Sequence, residues 1–209
     1  MNIAICGGTF DPFHRGHLEP VLAVREEMQW ERILYVPARH QPFKAGHGSA
    51  SGYHRFAMAA LATAGIDAIW VLPLELERDA VSYTVDTLEH LRCEYPETTL
   101  DWIIGDDNLP RLGEWKSLDR ILELANFVVL SRGGEAVLPS IDAVQKKSGV
   151  VREAKVRGTC GAIVFARNAM VPVSATDIRK RVRAGEPIDA FVDPRVSRYI
   201  DHYGLYRAS

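Results

Sequence analysis

Six short runs of aliphatic and β-branched residues, at 3–6, 33–36, 68–72, 100–104, 127–130 and 162–165, punctuate this chain, with helical patterns at 18–28, 53–64, 85–95 and 118–124 between them. Runs this short, without polar alternation, suit strands covered on both faces. A strand followed by a crossover helix and another strand returns in parallel, so the repeat specifies an open parallel sheet with helices on both faces. The tail breaks the alternation. Ser174 and Asp177 make a near capping box with Gly185 at the helix end, and Asp193-Pro194 opens a last helix that Gly204 closes. The expected architecture is α/β with a helical C-terminal segment, in a single domain over residues 1–209.

A chain of 209 residues, 47% of them hydrophobic, can bury one full core. Its formal net charge of −2 argues against a protein that coats nucleic acid or an anionic membrane. Cys6, Cys93 and Cys160 are odd in number and widely spaced, which predicts reduced, mostly buried thiols rather than a zinc or redox pair. No basic leader precedes Ile3, and no apolar run approaches the roughly 20 residues of a membrane span. A cytoplasmic address is expected; monomer and homo-oligomer both remain open. Segments 40–52 and 133–139 are rich in Gly, Pro or Ser and read as loops, the first long enough to act as a lid.

The first strand runs into Gly7-Gly8-Thr9-Phe10-Asp11-Pro12-Phe13-His14-Arg15-Gly16-His17-Leu18. Glycines behind a buried strand let a backbone approach a polyphosphate, and the helix start offers N–H groups and a positive dipole end. His14 and His17, three apart, can turn both imidazoles toward one anion. Each piece also has an ordinary reading, since Gly-Gly makes tight turns and histidines decorate helix starts. The ordered combination is what points to phosphate chemistry.

This string resembles the first signature of the nucleotidyltransferase superfamily, and Val173-Ser174-Ala175-Thr176-Asp177-Ile178-Arg179 resembles the second. The likeness is nearest to bacterial nicotinate-mononucleotide adenylyltransferases and runs nearly end to end. It implies a Rossmann-like fold and ATP contacts from His14, His17, Gly7, Gly8, Thr9 and Phe10, with Ser174, Thr176 and Arg179 gripping the β and γ phosphates. It also assigns Gly105 and Asp107, in Gly105-Asp106-Asp107, to the adenosine, and Arg132 to the adenine, although Gly133 replaces the usual proline after it. For the acceptor it implies Ser82-Tyr83-Thr84, Trp115 stacking on the pyridine ring, and Lys44 on the mononucleotide phosphate, with Phe43 in place of the usual histidine. Arg55 matches a family arginine and serves equally well as a helix-entry residue. Trp30, Trp70 and Trp102 read as packing residues.

The implied reaction is Mg-ATP-dependent adenylylation of nicotinate mononucleotide, a step in making NAD. The acceptor phosphate has a second pKa near about 6 and needs no base, which fits a site of His, Arg, Lys and N–H groups without a nucleophilic triad. Magnesium is expected with ATP, without a dedicated protein ligand. Nicotinamide-mononucleotide or phosphopantetheine adenylyltransferase is the neighbouring alternative. A non-catalytic nucleotide sensor is the alternative from another class.

Overall fold

A computed structural model describes residues 1–39, 50–79, 81–131, 151–153, 160–168 and 171–207, the segment 151–153 as backbone only. Lys44, Phe43, Arg132, the loop 133–139 and all of the loop 40–52 except its last three residues lie outside the described residues. The strands are β1 (Asn2–Gly8), β2 (Arg32–Pro37), β3 (Ile69–Val71), β4 (Thr99–Gly105), β5 (Asn126–Leu130), β6 (Val151–Glu153) and β7 (Ile163–Phe165). They form one parallel sheet in the order β3-β2-β1-β4-β5-β7-β6. The chain winds outward from β1 to β3, returns to place β4 on the other side of β1, and winds outward again. The carboxyl ends of β1 and β4 therefore flank the topological switch point, where open α/β sheets bind ligands. Gly7 and Gly8 end one strand and Gly105 the other.

Side chains alternate strictly between two cores. Ala4, Cys6, Ile33, Tyr35, Ile103 and Val128 face one layer, packed under α1 (Arg15–Val24), α2 (Gly52–Thr63), α5 (Ala175–Ala184) and α6 (Pro194–Tyr203). Ile3, Ile5, Leu34, Leu100, Trp102 and Phe127 face the other, under α3 (Thr84–Glu94) and α4 (Leu118–Leu124). Each fully buried leucine here, such as Leu88 or Leu91, contributes about 1.5–3 kcal/mol by leaving water.

The C-terminal helices follow their punctuation. Ser174 caps α5 by accepting from the Asp177 N–H at 3.1 Å, and Gly185 ends it in the left-handed region. Asp193 caps α6, with Pro194 in the first turn and Gly204 left-handed at the end.

Four expectations need correction. The sheet has a seventh strand, β6, between the fifth and sixth aliphatic runs, where no strand was expected. β3 is an edge strand covered on one face, which leaves Trp70 44% exposed under the guanidinium of Arg32 instead of packed in the core. Of the three cysteines only Cys6 is buried. Helix α1 starts at Arg15 beside the histidine pair, as read, but ends at Val24 rather than at residue 28, where the chain passes into turns that include Gln29 at φ 51°.

Candidate active site

The strand-to-helix turn is built from its own aromatic side chains. A Cβ on Gly7 would sit 2.5 Å from Cζ2 of Trp102, and one on Gly8 would sit 2.8 Å from Cε1 of Phe10. The glycines thus make room for rings of the protein itself. Phe10, at φ 54°, turns its buried ring back under the loop, edge-on to His17 at 5.0 Å between centroids.

His14 is the N-cap of α1 and His17 is its third residue. The His14 backbone N–H donates to Nδ1 of His17 at 3.2 Å, and the His17 N–H returns to the His14 carbonyl at 2.8 Å. A neutral His17 imidazole whose Nδ1 accepts carries its proton on Nε2. The turn therefore fixes the tautomer and makes Nε2 a donor. The two rings stack at 3.7 Å, and the Tyr35 hydroxyl donates to the His17 carbonyl at 2.8 Å.

The start of α5 meets this turn in space. Arg179 donates through Nη1 to the main-chain oxygen of Asp11 at 2.5 Å, across 168 positions of sequence, and through Nη2 to Oγ1 of Thr176 at 3.3 Å. Val173 packs so closely on Gly16 that a Cβ there would fall 2.8 Å from it. The Ser174 hydroxyl is engaged in capping, accepting from the Asp177 N–H and donating to its Oδ2 at 2.7 Å. This hydrogen bond holds the exposed Asp177 carboxyl below the usual range.

Gly105 caps the 3-10 helix Asp106–Glu114, with Asp107 exposed in its first turn and accepting from Asn108 at 3.0 Å. Trp115 follows at the C-cap, half-buried and edge-on to Phe127. Its neighbour Lys116 lies 4.4 Å from the Tyr83 ring centroid and 3.2 Å from Asp86, which ties this segment to the start of α3. Tyr83 caps that helix without a side-chain bond.

Ser82 and Tyr83, together with Glu75, Arg78, Asp86 and Thr87, line a cavity of about 240 Å³. Glu75 is 5% exposed and accepts from the Thr87 hydroxyl at 2.6 Å, and burial pushes its carboxyl above the usual range.

Arg55 links the two halves. It is buried and donates to the carbonyls of Thr9 at 2.6 Å, Ala50 at 3.2 Å and Arg39 at 3.4 Å, while the Arg39 N–H donates to the Ser82 hydroxyl at 3.0 Å. Burial lowers its pKa, opposed by Asp11 and Tyr206. All three bonds go to main-chain carbonyls and so tie the first loop to the segments at Arg39 and Ala50.

Tyr206 was not singled out from the sequence; its phenol reaches Asp11 from 195 positions away. Nothing local marks such a pairing. Glu75 was missed too, although it sits just upstream of Ser82-Tyr83-Thr84. Among the described residues, no group of three or more His, Cys, Asp or Glu side chains could hold a metal ion, and no helix is long and apolar enough to cross a membrane.

A parallel sheet with a glycine-flanked switch point, paired imidazoles and a distant arginine on the same turn has a counterpart among known proteins, for residues 5–181 match the cytidylyltransferase-like family. The chain belongs to that family. It is 36% identical over 208 residues to the probable nicotinate-nucleotide adenylyltransferase of Gemmatimonas aurantiaca, covering 99% of this chain and 93% of that one. To the protein so named in Roseiflexus it is 38% identical, covering 98% of each. Within the family it is thus a member of the nicotinate-nucleotide adenylyltransferases. The fold is that of Plasmodium falciparum nicotinic acid mononucleotide adenylyltransferase complexed with NaAD, at a TM-score of 0.73 and 19% identity over 98% of this chain and 97% of that one. The same Plasmodium enzyme complexed with APC gives a TM-score of 0.71 at 18% identity, over 98% of this chain and 96% of that one.

Proposed function

We propose that this enzyme transfers the adenylyl group of ATP to nicotinate mononucleotide, yielding nicotinate adenine dinucleotide and pyrophosphate for NAD synthesis. A phosphate oxygen of the mononucleotide attacks the α-phosphorus of ATP. The bond from that phosphorus to the bridging oxygen breaks, and pyrophosphate leaves with the electron pair. The acceptor is already ionised, so the protein's task is to align the groups and to neutralise charge on the α-phosphate and the leaving group.

The observation that carries this reading is the bond from Arg179 to Asp11, which joins the late signature to the early one beside the switch point. His17 donates from Nε2 to phosphate oxygens, with His14 stacked beside it. Arg179 presents a fixed positive fork, and the N–H groups at the start of α5, with the Thr176 hydroxyl and the Ser174 hydroxyl once it turns from Asp177, hold the β and γ phosphates. The loop from Gly7 to Phe10 supplies backbone contacts, while Gly105, Asp107 and Arg132 take the adenosine. Ser82, Tyr83 and Thr84 offer donors to the nicotinate carboxylate, Trp115 offers its indole face to the pyridinium, and Lys44 takes the acceptor phosphate. Transfer from ATP needs a divalent metal. We read it as Mg²⁺, which when bound with ATP would supply positive charge against the triphosphate. A cytoplasmic location fits a chain whose substrates are soluble nucleotides.

The test follows pyrophosphate from Mg-ATP with either nicotinate or nicotinamide mononucleotide, and identifies the dinucleotide formed. Faster turnover of the nicotinate form is expected. Equal rates would remove the acceptor assignment, and no product from either would remove the activity.

A further inference from the structure

Asp11 lies at the centre of a buried polar cluster that the reaction, as described, does not use. Its carboxylate is 7% exposed. Oδ1 accepts from the Tyr206 hydroxyl at 2.6 Å and from the Ala50 N–H at 3.1 Å. Oδ2 lies 3.8 Å from Nη1 of Arg179, which donates instead to the main-chain oxygen of the same residue. With its second bond to Thr176, Arg179 keeps three of its five N–H groups uncommitted among the described residues.

The tail is bent to deliver this phenol. After α6 the chain reverses through Gly204 at φ 61° and Tyr206 at φ 64°. For tyrosine the left-handed region is uncommon and strained, and it persists only where surrounding contacts hold it. Here they are the hydrogen bond to Asp11 and a ring that is 8% exposed. Burial foremost, and then Asp11, push the phenol far above its usual pKa, so it stays a donor.

An aspartate this close to Arg179 is also a rival for it. Were the carboxylate less well satisfied, it would draw the guanidinium onto itself and away from a phosphate. We propose that Tyr206 is a positioning residue for ATP: by occupying Asp11, its phenol makes that residue anchor Arg179 through the main chain rather than capture its charge. The inference rests on the assignment of Arg179 to the triphosphate.

The test compares wild type with full-length Tyr206→Phe. It measures the affinity for a Mg-bound non-hydrolysable ATP analogue by calorimetry, the KM for ATP and for nicotinate mononucleotide, and the melting temperature. A charge-assisted hydrogen bond of this kind predicts affinity and KM for ATP weakened about tenfold, with the KM for nicotinate mononucleotide changed less than about twofold. In an Asp11→Asn background, where no anion competes for Arg179, the same substitution should change ATP affinity less than about twofold. Asp11→Asn by itself should bind the analogue more tightly than wild type, which keeps the proposal testable if Tyr206→Phe fails to fold.

A variant that melts earlier but binds ATP normally would overturn the proposal and leave Tyr206 a tail anchor. So would an equal effect of Tyr206→Phe in both backgrounds, or unchanged or weaker binding by Asp11→Asn. Failure of wild type itself to bind the analogue would instead overturn the reading of the site.

Discussion

The imidazole rings of His14 and His17 lie face to face, 3.7 Å apart and 24° from parallel, and the backbone N–H of one donates to the ring of the other. This contact sets which nitrogen of His17 carries a proton. It predicts that His17→Ala lowers kcat by about 10²–10³, the cost of removing one donor from a charge-stabilising site. Losing the ring that closes the first turn of α1 should cost only about 1 kcal/mol of stability. Steady-state rates and a thermal melt separate the two effects; a kcat within a few-fold of wild type would remove His17 from the reaction.

Gly7 lies against the buried ring of Trp102 on the neighbouring strand. A methyl group 2.5 Å from Cζ2 has nowhere to go unless the indole or the strand shifts. Gly7→Ala should therefore destabilise the fold by about 1–3 kcal/mol, the usual cost of overpacking. At about 2–4 °C per kcal/mol for a chain of this size, the loss is visible in a melt. It should be smaller when introduced beside Trp102→Phe. Equal losses in both backgrounds would contradict the steric account.

Burial raises the pKa of Glu75 above its ordinary 4.5, so between that value and the higher folded one the native state holds a proton that the unfolded chain has released. Stability from this group is complete below pH 4.5 and is lost as pH rises through the folded value. Glu75→Gln keeps an acceptor for Thr87 and cannot ionise. Urea unfolding should show the glutamine variant gaining on wild type as pH rises above 4.5. A gap independent of pH, or one that closes in the opposite direction, would contradict the shift.

Much of this fold is legible in the sequence because the signals are local. Ser174 with Gly185, and Asp193-Pro194 with Gly204, mark helix ends by their own backbone chemistry, and the structure ends those helices there. The doubly covered strands announce themselves as aliphatic runs. Edges are harder: β6 is three residues long, and Trp70 on β3 belongs to a strand with one covered face. Asp101, fully buried within β4, accepts from Trp30 at 2.6 Å and Asn126 at 2.9 Å, a network no local pattern reveals. The meeting of Asp11 with Tyr206 is of the same kind, since only the finished topology brings the tail to the first loop. The histidine pair and the late arginine were readable as motifs, but their mutual placement depended on tertiary structure.

The account depends on two distant segments acting on one triphosphate, and pyrophosphate release by wild type and Arg179→Ala, with Mg-ATP and nicotinate mononucleotide, tests this most directly. It predicts wild-type turnover reduced about 10²-fold or more in the variant, as for loss of a preorganised cation facing developing charge. Turnover that survives the substitution undiminished would contradict it.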